Sequence, residues 1–369
     1  MASNTPRIDG LERNLVINGN MDFWQRGTSV ACNFNDDKYL ADRFVIDVWA
    51  ASSSATGTYS RSADVPTQAQ SGFNSRYSLL YTNTSANSNS ITVRYEVEGQ
   101  DYQQIHAQKI RVQFWVKSSV AGTYSLGLQN GANQNRSYLT TYTIASANTW
   151  QKVAIDVQLD QTGTWNFNET AGLSILWGVG VPSNHALSAL NTWVSSRVNG
   201  YTGNTASWST TSGATFQIAQ VSVIPQDFTL AGAANVDVPF QLAGRTIGHE
   251  FQMCQRYYEK SYNVGVNPGQ SGAASGCRYI WLTSSGAGGA YLGSANFVVE
   301  KRATPTVVIY TLSSGVSGQI ESMASSAAQG AGTGSPAALG TSGFVLQNSG
   351  GAITSTQGFA YQFTADAEL

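Results

Sequence analysis

The side chains best suited to chemistry in this sequence are flat aromatic rings set beside amides. Trp165, Trp193, Tyr201 and Trp208 fall in one polar stretch, interleaved with Asn166, Asn168, Asn191 and Asn204. A sugar ring is held by stacking its apolar C–H face on an aromatic ring while neighbouring amides bond its hydroxyls. The candidate carbohydrate contacts are therefore Trp165, Trp193, Tyr201, Trp208 and Asn191. Trp177 is in phase with Leu173 and Ile175, which assigns it to a core instead.

Other chemistries find less support. Asp36-Asp37 and Asp42-Asp47 are carboxylate pairs of the kind a glycosidase needs, but hydrogen bonding in turns is the simpler role for them. Asn18, Asn20 and Asp22 offer oxygen donors for a structural Ca2+. The histidines are His106, His185 and His249, and His249-Glu250 opens an HExxH zinc pattern whose last position is Met253. Gly269-Gln270-Ser271-Gly272 breaks the nucleophile-elbow pattern at its end, and the glycine-rich runs at 286–293 and 330–334 lack the Lys-Ser/Thr of a phosphate loop. The expectation is a protein that is not an enzyme and carries no organic cofactor.

Charged residues make up 11% of the 369 residues and the formal net charge is -2. An ordinary soluble domain holds roughly 25% charged residues. With no basic field to neutralise phosphates, neither nucleic acid nor an anionic bilayer is an expected partner. Cys32, Cys254 and Cys277 form no CxxC pair, which excludes a disulfide framework and leaves a Cys254–Cys277 bridge open. The N-terminus lacks the build of a signal peptide and no segment reads as a spanning helix, so synthesis in the cytoplasm is expected.

The elements that must position the rings read as strands. Ile91, Val93, Tyr95 and Val97 alternate with polar residues, as do Ile110, Val112, Phe114 and Val116. The pattern returns at Val153, Ile155, Val157 and Leu159, and at Leu173, Ile175, Trp177 and Val179. Phe44 to Val48, Arg76 to Tyr81 and Phe216 to Val223 supply three more strands, the last with a phase slip between Ile218 and Val221 that predicts a bulge. Leu15 to Ile17 reads as a short strand before the Asn18-Gly19 turn, with Met21, Phe23 and Trp24 as an apolar plug closing one end of a sandwich.

The predicted organisation is mainly β. It has an attachment arm at 1–13, an antiparallel jelly-roll sandwich at 14–226, a linker and helix at 227–262, and a small β domain at 263–369. The helix sets Ile247, Phe251, Cys254 and Tyr258 on one face, with Glu250 and Lys260 at its two ends. Strands are expected at Tyr279, Ala295, Thr306 and Phe359. The Ser/Ala/Gly-rich stretch from Ser322 to Ser342 reads as a loop or contact surface.

Three landmarks carry a resemblance. NLVINGNMDFWQRGTS at Asn14 to Ser29, followed by YLADRF at Tyr39 to Phe44, resembles the opening of the carbohydrate-binding-module-type jelly roll in surface proteins of tailed bacteriophages and phage-like particles. HEFQMCQRYYEKSY at His249 to Tyr262 is similar to the segment that follows that module, and RATPTVVIY at Arg302 with TADAEL at Thr364 to the closing domain. The resemblance implies a virion surface protein, a tail fibre, tail spike or head fibre, that contacts host surface polysaccharide without hydrolysing it. Low charge and abundant small polar residues suit packed symmetric subunits, so a homotrimer is expected, docked to other virion proteins through the arm. The alternatives are an architectural head or tail component that binds no glycan, and a glycan depolymerase.

Overall fold

The computed structural model describes residues 14–33, 35–50, 56–86, 89–180, 186–205, 208–226, 240–244, 246–282, 291–324, 327–350 and 357–369. The expected arm at 1–13, most of the expected linker and His185 lie outside the described residues. The chain forms two compact units. One comprises the residues up to Phe23, Thr28–Glu250 and Leu369, and the other Trp24–Gly27 and Phe251–Glu368.

The first unit is an antiparallel β-sandwich. Its strands are β1 (Ser29–Asn33), β2 (Asp36–Tyr39), β3 (Phe44–Ala50), β4 (Thr56–Ser62), β5 (Ser78–Asn83), β6 (Asn89–Glu98), β7 (Lys109–Ser118) and β8 (Gly122–Asn130). They continue as β9 (Ser137–Ile144), β10 (Gln151–Gln158), β11 (Ala171–Gly180), β12 (Ala186–Leu187), β13 (Trp193–Val194), β14 (Gly200–Tyr201) and β15 (Thr215–Gln226). Single-turn helices α1 (Gln68–Ser71) and α2 (Gly99–Tyr102) interrupt them. One sheet runs β1-β4-β5-β15-β7-β10 and the other β13-β9-β8-β11-β6-β3-β2.

Alternation decides which residues face the interior. Ile91, Val93, Tyr95 and Val97 are all buried, as are Ile110, Val112, Phe114 and Val116. Trp177 lies at the centre, its ring 5.6 Å from Phe114 and edge-on to it. The bulge in β15 falls where the phase slips, between Ala219 and Ser222, with Gln220 in the left-handed region at φ 50.

The segment before the sandwich differs from its expected form. Leu15 to Ile17 is not a strand; beside one backbone bond, Leu15 N to Val223 O at 3.0 Å, its backbone is satisfied by side chains. Asn14 donates through Nδ2 to Val221 O at 3.2 Å and Gln241 O at 3.0 Å, and its Oδ1 accepts from the amides of Val16 and Val223, both at 3.0 Å. The Tyr95 hydroxyl accepts from Ile17 N at 2.8 Å and donates to Leu15 O at 3.2 Å. One amide and one phenol thus fill the gaps between the few backbone bonds to β15, which keeps buried backbone groups paired without a regular ladder. Asn18, at φ 60, begins the turn as expected, and the next residue must be glycine for space. A Cβ at Gly19 would lie 2.1 Å from Val221 O. Of the expected plug, Met21 and Phe23 are buried in this unit while Trp24 belongs to the other.

The helix is shorter than its pattern suggested. α3 (Ile247–Gln255) ends before Tyr258, Ile247 is exposed, and Tyr258 and Lys260 lie instead on β16 (Tyr258–Lys260). Glu250 lies in the first turn of the helix as expected, and it is buried there, where it accepts hydrogen bonds from the amides of Asn18 and Gly244. These bonds satisfy two backbone donors that packing has cut off from water. Cys254 is buried, and no disulfide joins it to Cys277.

The second unit is built around β23 (Gln357–Asp366). The strands β17 (Arg278–Leu282), β18 (Tyr291–Asn296), β19 (Thr306–Tyr310), β20 (Gln319–Ala324), β21 (Ala327–Ala337) and β22 (Gly343–Asn348) complete it, and β16, β17, β19 and β20 all pair with β23. Phe344, Leu346, Phe359, Tyr361, Phe363 and Ile309 form its core. The small-residue stretch from Ser322 to Ser342, read as a loop or a contact surface, holds the end of β20 and all of β21, so much of it is strand and the loop reading is corrected. Strand β18 stops at Asn296, where Phe297 turns into the core, and β22 was not foreseen. A buried ion pair, Lys301 Nζ to Glu259 Oε2 at 2.7 Å, is completed by donation from Lys301 to the carbonyls of Gln255 and Val299.

Gly19→Ala should destabilise the first unit by about 2–4 kcal/mol, because the added methyl meets backbone that cannot yield. Urea unfolding followed by tryptophan fluorescence measures it.

Candidate functional site

At one edge of the seven-stranded sheet, β13 pairs antiparallel with β9, setting Trp193 opposite Tyr138 and Val194 opposite Ser137. Asn191 makes this pairing possible. It adopts φ 58, which asparagine tolerates better than most residues, and its amide donates to Leu139 O at 2.7 Å, turning the chain onto the edge. The Trp193 ring is 5.6 Å from that of Tyr138 and 5.7 Å from that of Trp165, with interplanar angles of 47° and 79°. Its indole N–H donates to Gln158 O at 2.9 Å. Gln158 closes β10, at the edge of the other sheet.

These groups line an open cleft of about 570 Å³, whose walls include Tyr138, Gln158, Asp160, Asn191, Thr192 and Trp193. Trp193 and Tyr138 are half-buried, and Asn191 and Thr192 are exposed. Burial alone would raise the Asp160 carboxyl, but the Thr162 amide and the Arg136 guanidinium hold it below the usual carboxylate range. Asp160 is thereby a fixed, ionised acceptor at the cleft. Arg136 also donates to Ser195 Oγ at 3.0 Å, so its cation is engaged at both ends. A half-exposed indole, a phenol, two amides, a hydroxyl and a carboxylate around one opening can stack a sugar ring and bond its hydroxyls.

The five residues singled out in the sequence divide. Trp193 and Asn191 meet at the cleft. Trp165 is only 8% exposed. It stacks on Tyr102 at 5.0 Å and donates to Thr162 O at 2.8 Å, and so braces Trp193 from behind instead of meeting a ligand. Trp208 is 0% exposed, lies 6.1 Å from Tyr81, and donates to Thr215 O at 3.0 Å. Its loop-like sequence hid a core position. Tyr201 is half-buried on β14, beside β12, and is not among the cleft residues.

The interleaved asparagines Asn166, Asn168 and Asn204 bond nearby backbone or side chains and shape loops. Tyr138, Gln158, Asp160 and Thr192 were missed. Three of them come from other parts of the chain: the pairing of β13 with β9 brings in Tyr138, and the indole bond to Gln158 O ties in the end of β10, with Asp160 just after it.

The oxygen donors proposed for Ca2+ are engaged within the protein. Asn18 Oδ1 accepts from Phe23 N at 2.9 Å, its Nδ2 donates to Phe23 O and Asp42 O, and Asn20 bonds Asp22 and Ser75. Among the described residues no group of three or more His, Cys, Asp or Glu side chains is arranged to hold a metal ion, and no helix is long and apolar enough to cross a membrane.

Of the carboxylates, the fold sets Asp37 against Asp47 across β2 and β3, with Arg94 within 3.4 Å of the first and 3.8 Å of the second. Burial, and then the like charge of Asp37, push the Asp47 carboxyl up to about 6 against the attraction of Arg94 and Arg197. A second cleft, in the other unit, includes Arg26, Tyr258 and Asp366. There the Arg26 guanidinium sits 3.7 Å over the Tyr258 ring and pairs with Asp366, so the face that would stack on a ligand is already covered.

No protein-family model matches the chain, and no curated protein matches it. Among solved structures it is similar to a tailspike protein 4 domain of bacteriophage CBA120, at 14% identity and TM-score 0.29, over 58% of this chain and 21% of that one. It is also similar to TmCBM61 in complex with β-1,4-galactotriose, at 13% identity and TM-score 0.27, over 58% of this chain and 99% of that one. A putative sugar binding protein from Bacteroides thetaiotaomicron matches at 9% identity and TM-score 0.32, over 58% of this chain and 100% of that one. The chain spans about a fifth of the tailspike domain. Likenesses this loose transfer neither a site nor a ligand.

Trp193→Ala should cost less than about 1.5 kcal/mol and Trp208→Ala about 3–5 kcal/mol, since one ring is half in solvent and the other fills the core. Thermal unfolding of the two variants separates them. Asp47 binds a proton more tightly folded than unfolded, so it favours the folded state at low pH. This contribution, on the order of 3 kcal/mol, is lost as pH rises from about 4 through about 6. Asp47→Asn should flatten that slope and leave the protein more stable than wild type at pH 7.5 in urea titrations.

Proposed function

We propose that this chain is a non-catalytic glycan-binding protein that holds a sugar against Trp193 in the cleft of its first unit. The observation that carries the reading is the placement of that ring: half-exposed, fixed by its indole bond to Gln158, and faced by Asn191, Thr192 and an ionised Asp160. The landmarks shared with phage surface proteins support a place on the surface of a virion or phage-like particle, with host attachment as the purpose. In that setting the chain acts as a homotrimer docked to other virion proteins through its N-terminal arm. Repetition of a shallow site in one assembly raises weak sugar affinity through effective concentration.

A second reading, an architectural virion component, draws on the second unit. There Tyr279 and Trp281 lie stacked and exposed on β17, with exposed Tyr291 on β18. Large rings at a surface are also what subunit contacts use.

The purified protein should bind host surface polysaccharide on an array without releasing reducing ends. Trp193→Ala should lose that binding at an unchanged melting temperature. No binding to any host glycan would favour the architectural reading, and binding that survives Trp193→Ala would place the sugar outside this cleft. Light scattering at micromolar concentration should give three times the chain mass of 39.3 kDa, and a strict monomer would count against the trimer.

A further inference from the structure

Resting on that reading, we infer that the cleft at Trp193 is one end of a longer site that continues to Phe167 and takes a neutral oligosaccharide of several units. The ring contacts do not stop at Trp193. Trp165 passes them to Tyr102, and Tyr102 stacks on Phe167 at 6.2 Å with only 8° between the planes. His106 closes the group, edge-on to Phe167 at 5.1 Å and bonded through Nδ1 to the Tyr102 hydroxyl at 3.1 Å. Phe167 is nevertheless 41% exposed, so a rigidly stacked ring offers surface to solvent at the far end of the row.

One loop carries both ends. Residues 159–161 line the cleft, Trp165 braces it and Phe167 emerges after it. The loop is clamped along its length. Asp160 is held by Arg136 and Thr162, the Asn166 side chain donates to Ala171 O at 3.1 Å, and Gln100 N donates to Asn168 O at 3.0 Å. Gly99 lets it lie close, since a Cβ there would come within 2.7 Å of the carbonyl oxygens of Asn166 and Asn168. A ring held this way loses little freedom when a ligand stacks on it, which is how preorganised sites gain affinity.

Charge sets the ligand class. The Arg136 cation is paired with Asp160, and the residues that line the cleft include that carboxylate and no Lys or Arg. Among the described residues that line the cleft there is no cation to hold a uronic or sialic acid, whereas the exposed hydroxyl and amide partners suit neutral sugars.

The test is a microarray of neutral glucan, galactan, mannan and xylan oligosaccharides, each printed from monosaccharide to hexasaccharide beside uronic- and sialic-acid chains. Wild-type binding to one neutral series should strengthen with length. Phe167→Ala should weaken the hexasaccharide about fivefold and leave the disaccharide unchanged, as expected for one lost ring stack. Phe167→Tyr should restore it. If Trp193→Ala abolishes binding while Phe167→Ala leaves every length unchanged, the extension is wrong and the cleft alone is the site. If anionic chains bind best, the neutral class is wrong. If no chain binds, the glycan reading falls and the extension with it; if chains bind and Trp193→Ala changes nothing, the sugar sits elsewhere and both the cleft and its extension are wrong.

Discussion

The hydrogen bond from the Trp193 indole to the Gln158 carbonyl joins the rim of one sheet to the rim of the other, and the candidate site depends on it. Trp193 is on a two-residue strand at one sheet's edge, and Gln158 ends the edge strand of the opposing sheet. Without that bond the indole would have two contacts to neighbouring rings and a choice of rotamers. With it, the ring is fixed in the gap where the two sheets part, with one side left to solvent. A site made in this way uses the open edge of a sandwich, which a sheet must otherwise shield with charge or a covering loop.

The frame that supplies this edge is ordinary in its forces and specific in its details. Two apolar inner faces, centred on Trp177, Phe114 and Phe44, hold the sheets together. Around them, side-chain amides and carboxylates satisfy backbone that has no ladder. Asn14, Asn18 and Glu250 each do so, and in each case an alanine would leave buried donors or acceptors unpaired. The polar residues that look like binding groups in the sequence are therefore often structural. Among the asparagines first associated with the site, Asn191 reaches the cleft, while Asn166, Asn168 and Asn204 support turns.

Most of the architecture was legible in the sequence because strand alternation is a local signal. The four clear period-two segments are all strands, and the phase slip in Phe216 to Val223 is a bulge. The failures share a cause as well. The stretch from Ser322 to Ser342 is nearly all small residues, with Met323 and Leu339 far apart in it, so its strands carry no hydrophobic pattern and are set by pairing with neighbours. Trp208 follows polar residues and looks exposed, yet it fills a hole beside Tyr81. The site was half legible: Trp193 and Asn191 are close in sequence, but Tyr138 joins them through strand pairing, and Gln158 and Asp160 across the gap between the sheets, contacts over long separations that no local pattern encodes.

The most direct test of the central claim follows the indole N–H signals of the protein's 9 tryptophans by NMR as a bound neutral oligosaccharide is titrated in. The Trp193 signal should move in step with ligand saturation while those of Trp177 and Trp208 stay in place. A Trp193 signal that does not move while that of Trp281 shifts would contradict the account and place the sugar on the second unit.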